Sequence, residues 1–262
     1  MIGHKTLTHM PWVQDLPRDW FICRLSNIAD VVFSNVDKHT NEGELPVRLC
    51  NYTDVYNNAT IVADMNFMRA TALPKEIQRF QLKQGDILAT KDSEAWDDIA
   101  IASRVVRDMP DVLCGYHLAI IRPRSNRIAS EYLGWLYQSK PFRGQYETKA
   151  VGITRFGLGK AAFRETLVPL PPRTYQYRIS VYLDHACKVI DEAIVAKQKQ
   201  LDTLAQLRKS IMHQVVTRGL DDSVVLKDSG MGWVGRIPVH WHVVWLKNVA
   251  AVNALSLGAD TD

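Results

Sequence analysis

The 262-residue chain is poor in cysteine, with four (Cys23, Cys50, Cys114 and Cys187) scattered far apart. None forms a CxxC pair, so no zinc site or disulfide framework is indicated and buried, reduced thiols are expected. No apolar run approaches the roughly 18 residues that cross a bilayer, and the Met1 to Met10 opening lacks the hydrophobic centre of a secretion signal. A cytoplasmic location without membrane contact is expected. Catalytic signatures are missing too. No glycine-rich strand-to-helix turn with a downstream acid occurs, and Gly157-Leu158-Gly159-Lys160 falls short of the spacing of a phosphate loop. No Asn-Pro-Pro or Asp-Pro-Pro precedes an aromatic, which argues against a self-sufficient amino-methyltransferase. His240 and His242 are expected on one face of a strand, with no cysteine or aspartate nearby to complete a metal site. Asp97 and Asp98 are adjacent in a loop, where alternate orientations argue against a shared catalytic proton. Neither a catalytic residue nor a metal ligand is expected.

With 47% hydrophobic and 23% charged residues, the chain belongs to the ordinary globular class and can bury a normal core. A net charge of +4 and a pI near 8.8 permit a polyanionic partner without requiring one. Basic residues cluster at Arg122, Arg124 and Arg127, and again at Lys140, Arg143, Lys149, Arg155, Lys160 and Arg164. Solvated surface is enough to explain both clusters from charge alone.

An internal repeat is the most informative feature present. Trp12, Val13, Pro17, Trp20, Leu25, Asn27, Ala29 and Val31 recur without a gap as Trp233, Val234, Pro238, Trp241, Leu246, Asn248, Ala250 and Val252. Leu16/Ile237 and Ile28/Val249 exchange conservatively. Two tryptophans eight apart around a proline are improbable by chance, so the sequence reads as one full unit and the opening of a second.

Three regions follow from the patterning. From Trp12 to Pro169, short β-rich runs (LPVRLCNY, GDILATK, IAIASRVV and HLAIIRP) alternate with turn signals at Lys83 to Asp86 and Asn57-Asn58. Ser130 to Tyr146 reads as one amphipathic helix capped by Ser130, with Leu133, Leu136 and Tyr137 on its apolar face. The mixture predicts an α+β or mainly β domain ending at Leu170-Pro171-Pro172, which no helix interior tolerates. A second region, from about Tyr175 to Arg218, predicts a single helix. Steps of four and three residues join Leu183, Cys187, Ile190, Ile194, Lys197, Leu201, Leu204, Arg208, Ile211 and Val215 into a stripe that only Lys197 and Arg208 interrupt. Some 40 residues make a rod roughly 60 Å long, too long to pack wholly on its own domain, so a partner helix is expected. Gly219 supplies the stop. The third region, Asp221 to Asp262, is a linker and the opening of the second repeat copy. A few strands alone cannot close a core, so it is expected to be disordered or docked on another surface.

Taken in order, the Trp-x-x-x-x-Pro-x-x-Trp opening, Gly85-Asp86-Ile87-Leu88-Ala89-Thr90-Lys91-Asp92-Ser93, the run from His117, Gly152 to Phe163, Val168 to Pro172, Gln176 with Ile179, and the helix ending in His213-Gln214 resemble the specificity subunit of a type I restriction-modification system. The family's Glu-Gln at the start of the helix is Tyr175-Gln176 here. The resemblance implies a DNA target-recognition domain over residues 1–170, a spacer and dimerisation helix over 171–219, and the start of a second repeat over 220–262. A complete subunit of that family carries two such domains and two helices packed antiparallel, so this chain resembles a half-length or truncated form.

The functional expectations follow from that resemblance. The chain itself does no chemistry and holds no cofactor; S-adenosylmethionine and ATP belong to partner subunits. Its implied partners are double-stranded DNA, the modification (methyltransferase) subunit, indirectly the restriction subunit, and a second copy or a different half-subunit. Side chains on phosphates fix register whereas contacts to base edges carry sequence information. Lys149, Arg155 and Lys160, in the polar glycine-rich stretch, are candidates for phosphate contact. Asn51, Tyr52, Lys91, Asp92, Ser93 and Thr154, at strand ends and loops, are candidates for base reading. Leu183, Ile190, Ile194, Leu201, Leu204, Ile211 and Val215 are the candidate dimerisation surface. Two alternatives remain at this stage: the recognition half of a split DNA methyltransferase, or a truncated subunit that binds methyltransferase without reading DNA.

Overall fold

The computed structural model describes residues 16–250. Trp12 and Val13 of the first repeat copy, the Met1 to Met10 opening, and Val252 of the second copy lie outside the described residues.

Strands built from the apolar runs form two main sheets. One has the order β2 (Ala29–Phe33), β11 (Leu118–Pro123), β7 (Ile87–Thr90), β9 (Ala102–Val105) and β4 (Thr60–Ile61). The other runs β5 (Met68–Ala72), β3 (Leu45–Cys50), β10 (Met109–Cys114) and β6 (Gln81–Leu82). Alternation along the central strands explains how the five-stranded sheet is buried on both faces. Ile87, Ala89, Ala119 and Ile121 join one apolar cluster with Tyr132, Leu133, Tyr137, Phe142, Tyr146 and Phe163 from helices. Leu88, Leu118 and Ile120, pointing the other way, join Val47, Leu49, Val112 and Cys114 of the four-stranded sheet. The architecture is therefore α+β, as the sequence patterning predicts.

Local differences have identifiable causes. The helix expected from Ser130 to Tyr146 is two helices, α3 (Ser130–Gln138) and α4 (Lys140–Glu147), parted at Ser139, whose backbone is extended. Pro141 sits in the first turn of α4, where its missing N–H costs nothing, whereas inside a continuous helix it would break a hydrogen bond and clash. The cap of α3 is Ala129 rather than Ser130. Its N–H donates to Gln176 Oε1 at 2.8 Å. Short helices α1 (Tyr52–Tyr56), α2 (Pro74–Phe80) and α5 (Lys160–Arg164) and strand β10 carried no clear periodicity and appear only in the structure. The turn at Lys83 to Asp86 is present, closed by a 3.0 Å bond from the Asp86 N–H to the Lys83 carbonyl.

The long helix α6 spans Arg173–Arg218, and Gly219 ends it with φ +79°. Chain contacts divide the molecule within this helix, into Met1–Cys187 and Lys188–Asp262. Gln176, buried, both accepts from Ala129 and donates to the Pro171 carbonyl. Trp135 Nε1 donates to Asp184 at 2.9 Å. These bonds anchor the first turns of α6 on α3. The neighbouring Tyr175 is exposed. Farther along, Ile190, Ile194, Leu201, Leu204 and Ile211 are each more than half exposed, while Leu183 and Val215 are half-buried.

The repeat is visible in the backbone. The Trp20 N–H bonds the Pro17 carbonyl at 3.0 Å, and the Trp241 N–H bonds the Pro238 carbonyl at 2.9 Å. Leu25–Asn27 and Leu246–Asn248 are both 3-10 turns, flanked by nearly equal dihedrals (Ile28 −126°, −13°; Val249 −123°, −8°). The copies differ in what surrounds them. β1 (Phe21–Arg24) pairs antiparallel with β13 (Leu167–Leu170), tying the start of the domain to its end. The equivalent His242 to Trp245 forms no strand among the described residues, so His240 and His242 do not lie in the strand the sequence suggested. Leu25 is fully buried whereas Leu246 is 69% exposed. Disorder, one of the two states expected for the segment after the helix, does not hold over its described residues, which have order of their own, whereas docking on another surface is untouched. β14 (Leu226–Asp228) and β15 (Arg236–Pro238) form a hairpin, and a Cβ built on Gly219 would lie 3.6 Å from the Trp241 ring.

Candidate nucleic-acid interface

The Lys91 to Ser93 run and the Gly152 to Lys160 run meet through a two-stranded pairing. β8 (Asp92–Ser93) and β12 (Phe156–Gly157) are antiparallel, with Phe156 opposite Ser93 and Gly157 opposite Asp92. Gly152 makes the return possible. It has φ +157°, and a Cβ there would collide with the Arg155 carbonyl.

Asp92 is the hub. Its Oδ1 accepts from Arg155 Nη2 at 2.9 Å and its Oδ2 lies 2.7 Å from His117 Nδ1. A carboxylate so close requires a proton on Nδ1, so His117 donates there and Arg155 Nη2, 3.2 Å from the same nitrogen, is a neighbour rather than a second donor. Asp92 and His117 are 19% and 17% exposed, Arg155 57%. The bond to Asp92, then the carboxylate's charge, raises the Arg155 pKa above its usual value. Tyr116 lies against His117 with ring centroids 3.7 Å apart.

The other candidates divide into those joined to this cluster and those held elsewhere. Tyr52 lies beside Ser93, and partial burial pushes its pKa above the usual tyrosine value. Tyr52 also stacks on Tyr56, whose hydroxyl donates to Asp98 at 2.7 Å. Asn51 precedes α1, and its N–H donates to Asp54. A Cβ on Gly115 would meet the Cys50 carbonyl at 2.9 Å and Asn51 Oδ1 at 3.3 Å, so the Gly115 to His117 turn lies tightly against Asn51. Lys91 and Lys160 share one ring: their ammonium groups lie 5.2 and 5.7 Å from the centre of Phe33. Thr154 is exposed beside Arg155. Lys149 has a different setting, with Nζ 3.4 Å from the Ala162 carbonyl, and partial burial lowers its pKa.

Sequence reasoning did not single out Phe33, Tyr56, Tyr116 or His117, and it weighed Asp98 only for catalysis. Tyr116-His117, at the head of a strand just after a glycine, matched the strand-end logic applied to Asn51-Tyr52. Phe33 closes the apolar run Val31-Val32-Phe33, and nothing in that pattern marks a ring that two ammonium groups share. The first basic cluster is largely neutralised in the fold. Arg122 donates twice to Asp86, at 2.7 Å each, and Arg124 pairs with Asp30.

No family model matches the chain. The putative type I restriction enzyme MjaX specificity subunit of Methanocaldococcus jannaschii is 23% identical over 242 residues, covering 90% of this chain and 54% of that protein. The type I restriction enzyme MjaVIII specificity subunit of the same organism is 29% identical over 132 residues, 50% of this chain and 29% of the relative. Among solved structures, a chain from a study of complex assembly and conformational transition of the type I R-M system superposes with a TM-score of 0.60 at 19% identity, over 80% of this chain and 49% of that one. The HsdS subunit from Thermoanaerobacter tengcongensis superposes with a TM-score of 0.52 at 19% identity, over 76% and 45%. At that identity the superpositions establish a shared fold, an α+β domain with a long helix. The chain spans about half the length of the first of these relatives, and its sequence and fold are similar to those of one half of a type I restriction enzyme specificity subunit.

Proposed function

We propose that this chain is a DNA-recognition subunit of a type I restriction-modification complex, reading one half of a bipartite site and docking methyltransferase subunits. The observation that carries the reading is the β8–β12 pairing, which gathers Tyr52, Asp92, Ser93 and Arg155 around one surface. Arg155 there is held by Asp92 yet more than half exposed, as base discrimination requires. Lys160, joined by Lys91 in place of the base contact its strand-end position suggested, supplies phosphate contact and register, since both ammonium groups share the Phe33 ring.

The exposed stripe on α6 supplies assembly. A second copy, or a different half-subunit, covers Ile190, Ile194, Leu201, Leu204 and Ile211 with its own helix, restoring two recognition domains. The chain performs no chemistry in this reading. The modification subunit brings S-adenosylmethionine and methylates adenine, and the restriction subunit brings ATP hydrolysis.

The test is reconstitution with the modification subunit. Sequence-specific DNA binding by the complex, together with a methylated motif in a genome exposed to both subunits, is the expected result. A complex that assembles without sequence-specific binding overturns the reading and leaves only a methyltransferase-binding role.

A further inference from the structure

We infer that Arg155 reads a base edge, a guanine in the major groove, and that Asp92 is its positioning residue. This rests on the DNA-reading role proposed above. It reassigns both residues, since spacing alone suggested Arg155 for phosphate and Asp92 for a base.

Three features of the geometry support the reassignment. First, both Asp92 oxygens are already engaged: Oδ1 accepts from Arg155 and Oδ2 from His117. It is mostly buried, so it is poorly placed to accept from a cytosine amino group.

Second, Arg155 is more than half exposed, and only Nη2 is engaged among the described residues. Nη2 spends one of its two N–H groups on Asp92, and its other N–H, paired with the free neighbouring nitrogen on the same edge, leaves a planar fork that matches the O6 and N7 acceptors of guanine. The carboxylate fixes the fork's orientation, and His117 in turn fixes the carboxylate. A flexible side chain is thus ordered before DNA arrives, so less freedom is lost on contact.

Third, the charge balance disfavours phosphate. Asp92 lies 2.9 Å from the guanidinium, cancels much of its charge and would repel an approaching phosphate oxygen. Guanine presents neutral acceptors and incurs no such repulsion. Lys91 and Lys160 make the contrast, because neither ammonium has an acidic partner within ion-pair distance among the described residues.

The experiment uses the full chain assembled with its modification subunit and a randomised double-stranded DNA library. Wild type, Arg155→Ala, Arg155→Lys and Asp92→Asn are compared for selected sequence and for the salt dependence of binding. Arg155→Lys is the decisive variant, since lysine keeps a phosphate contact but cannot reproduce a bidentate fork. The expected result is that both Arg155 variants relax a single guanine position by roughly tenfold to a hundredfold, leaving other positions and the salt slope unchanged. Asp92→Asn relaxes the same position to a smaller extent, which a merely structural role would not do. The inference is overturned if Arg155→Lys selects the wild-type motif while Arg155→Ala weakens all sequences alike and lowers the salt slope by about one. Unchanged selection in both Arg155 variants overturns it as well. A wild-type complex that selects no sequence at all removes the DNA-reading role itself, a result distinct from either of these.

Discussion

Replacing Leu204 and Ile211 together by aspartate should convert a dimer of this chain into monomers. The two residues are 59% and 52% exposed on a helix whose apolar stripe is also more than half exposed at Ile190, Ile194 and Leu201. Fully burying a leucine or isoleucine is worth about 1.5–3 kcal/mol, so completing a half-finished burial is worth about 1–1.5 kcal/mol. Twofold antiparallel pairing uses each position twice. Four side chains then contribute about 4–6 kcal/mol, and the introduced carboxylates add a desolvation cost. At about 1.4 kcal/mol per decade, the dimer weakens by about three to four orders of magnitude. Light scattering at micromolar concentration reads the mass directly. Circular dichroism confirms that α6 persists, and Gln206→Asp, outside the stripe, serves as the control. A wild-type chain that is monomeric without other subunits refutes the reasoning. So does a helical double variant that remains dimeric.

The chain alone should bind DNA weakly and with strong salt dependence, and Lys91→Ala with Lys160→Ala should flatten the slope by roughly one to two units, as measured by titration over a salt series; an unchanged slope moves the phosphate site elsewhere. A homodimer presents one recognition domain twice, so methylome sequencing with only this chain and its modification partner should reveal an interrupted palindrome with adenine methylated in each half. An asymmetric bipartite motif means that a different half-subunit supplies the second domain. Asp86→Ala should destabilise the fold by about 3–5 kcal/mol, because Asp86 is 1% exposed and its loss strands the Arg122 guanidinium. Denaturant unfolding that shows a change below about 1 kcal/mol contradicts that account of the pair.

Much was legible without coordinates because it depends on residues close in sequence. The α6 stripe repeats every three or four residues, and a helix needs only its own i, i+4 bonds to realise that pattern. Gly219 ends it because a left-handed residue is cheap only for glycine. The two repeat copies adopt the same Pro-to-Trp bond and the same 3-10 turn, so those shapes belong to the segment itself. What the segment pairs with does not. Phe21–Arg24 becomes a strand because Leu167–Leu170 lies beside it, whereas His242 to Trp245, with a closely related sequence, forms none. The interface shows the same limit. Arg155 and Asp92 are 63 residues apart, and His117 lies 25 from Asp92. No local spacing records that three loops will converge, because their meeting depends on sheet register and on a glycine turn at Gly152. Sequence alone therefore determined the helix, the repeat and the candidate strand-end residues. Only the tertiary structure decided that Asp92 is occupied, that Arg155 is held, and that Lys91 and Lys160 share the Phe33 ring, since each follows from long-range pairing rather than from periodicity.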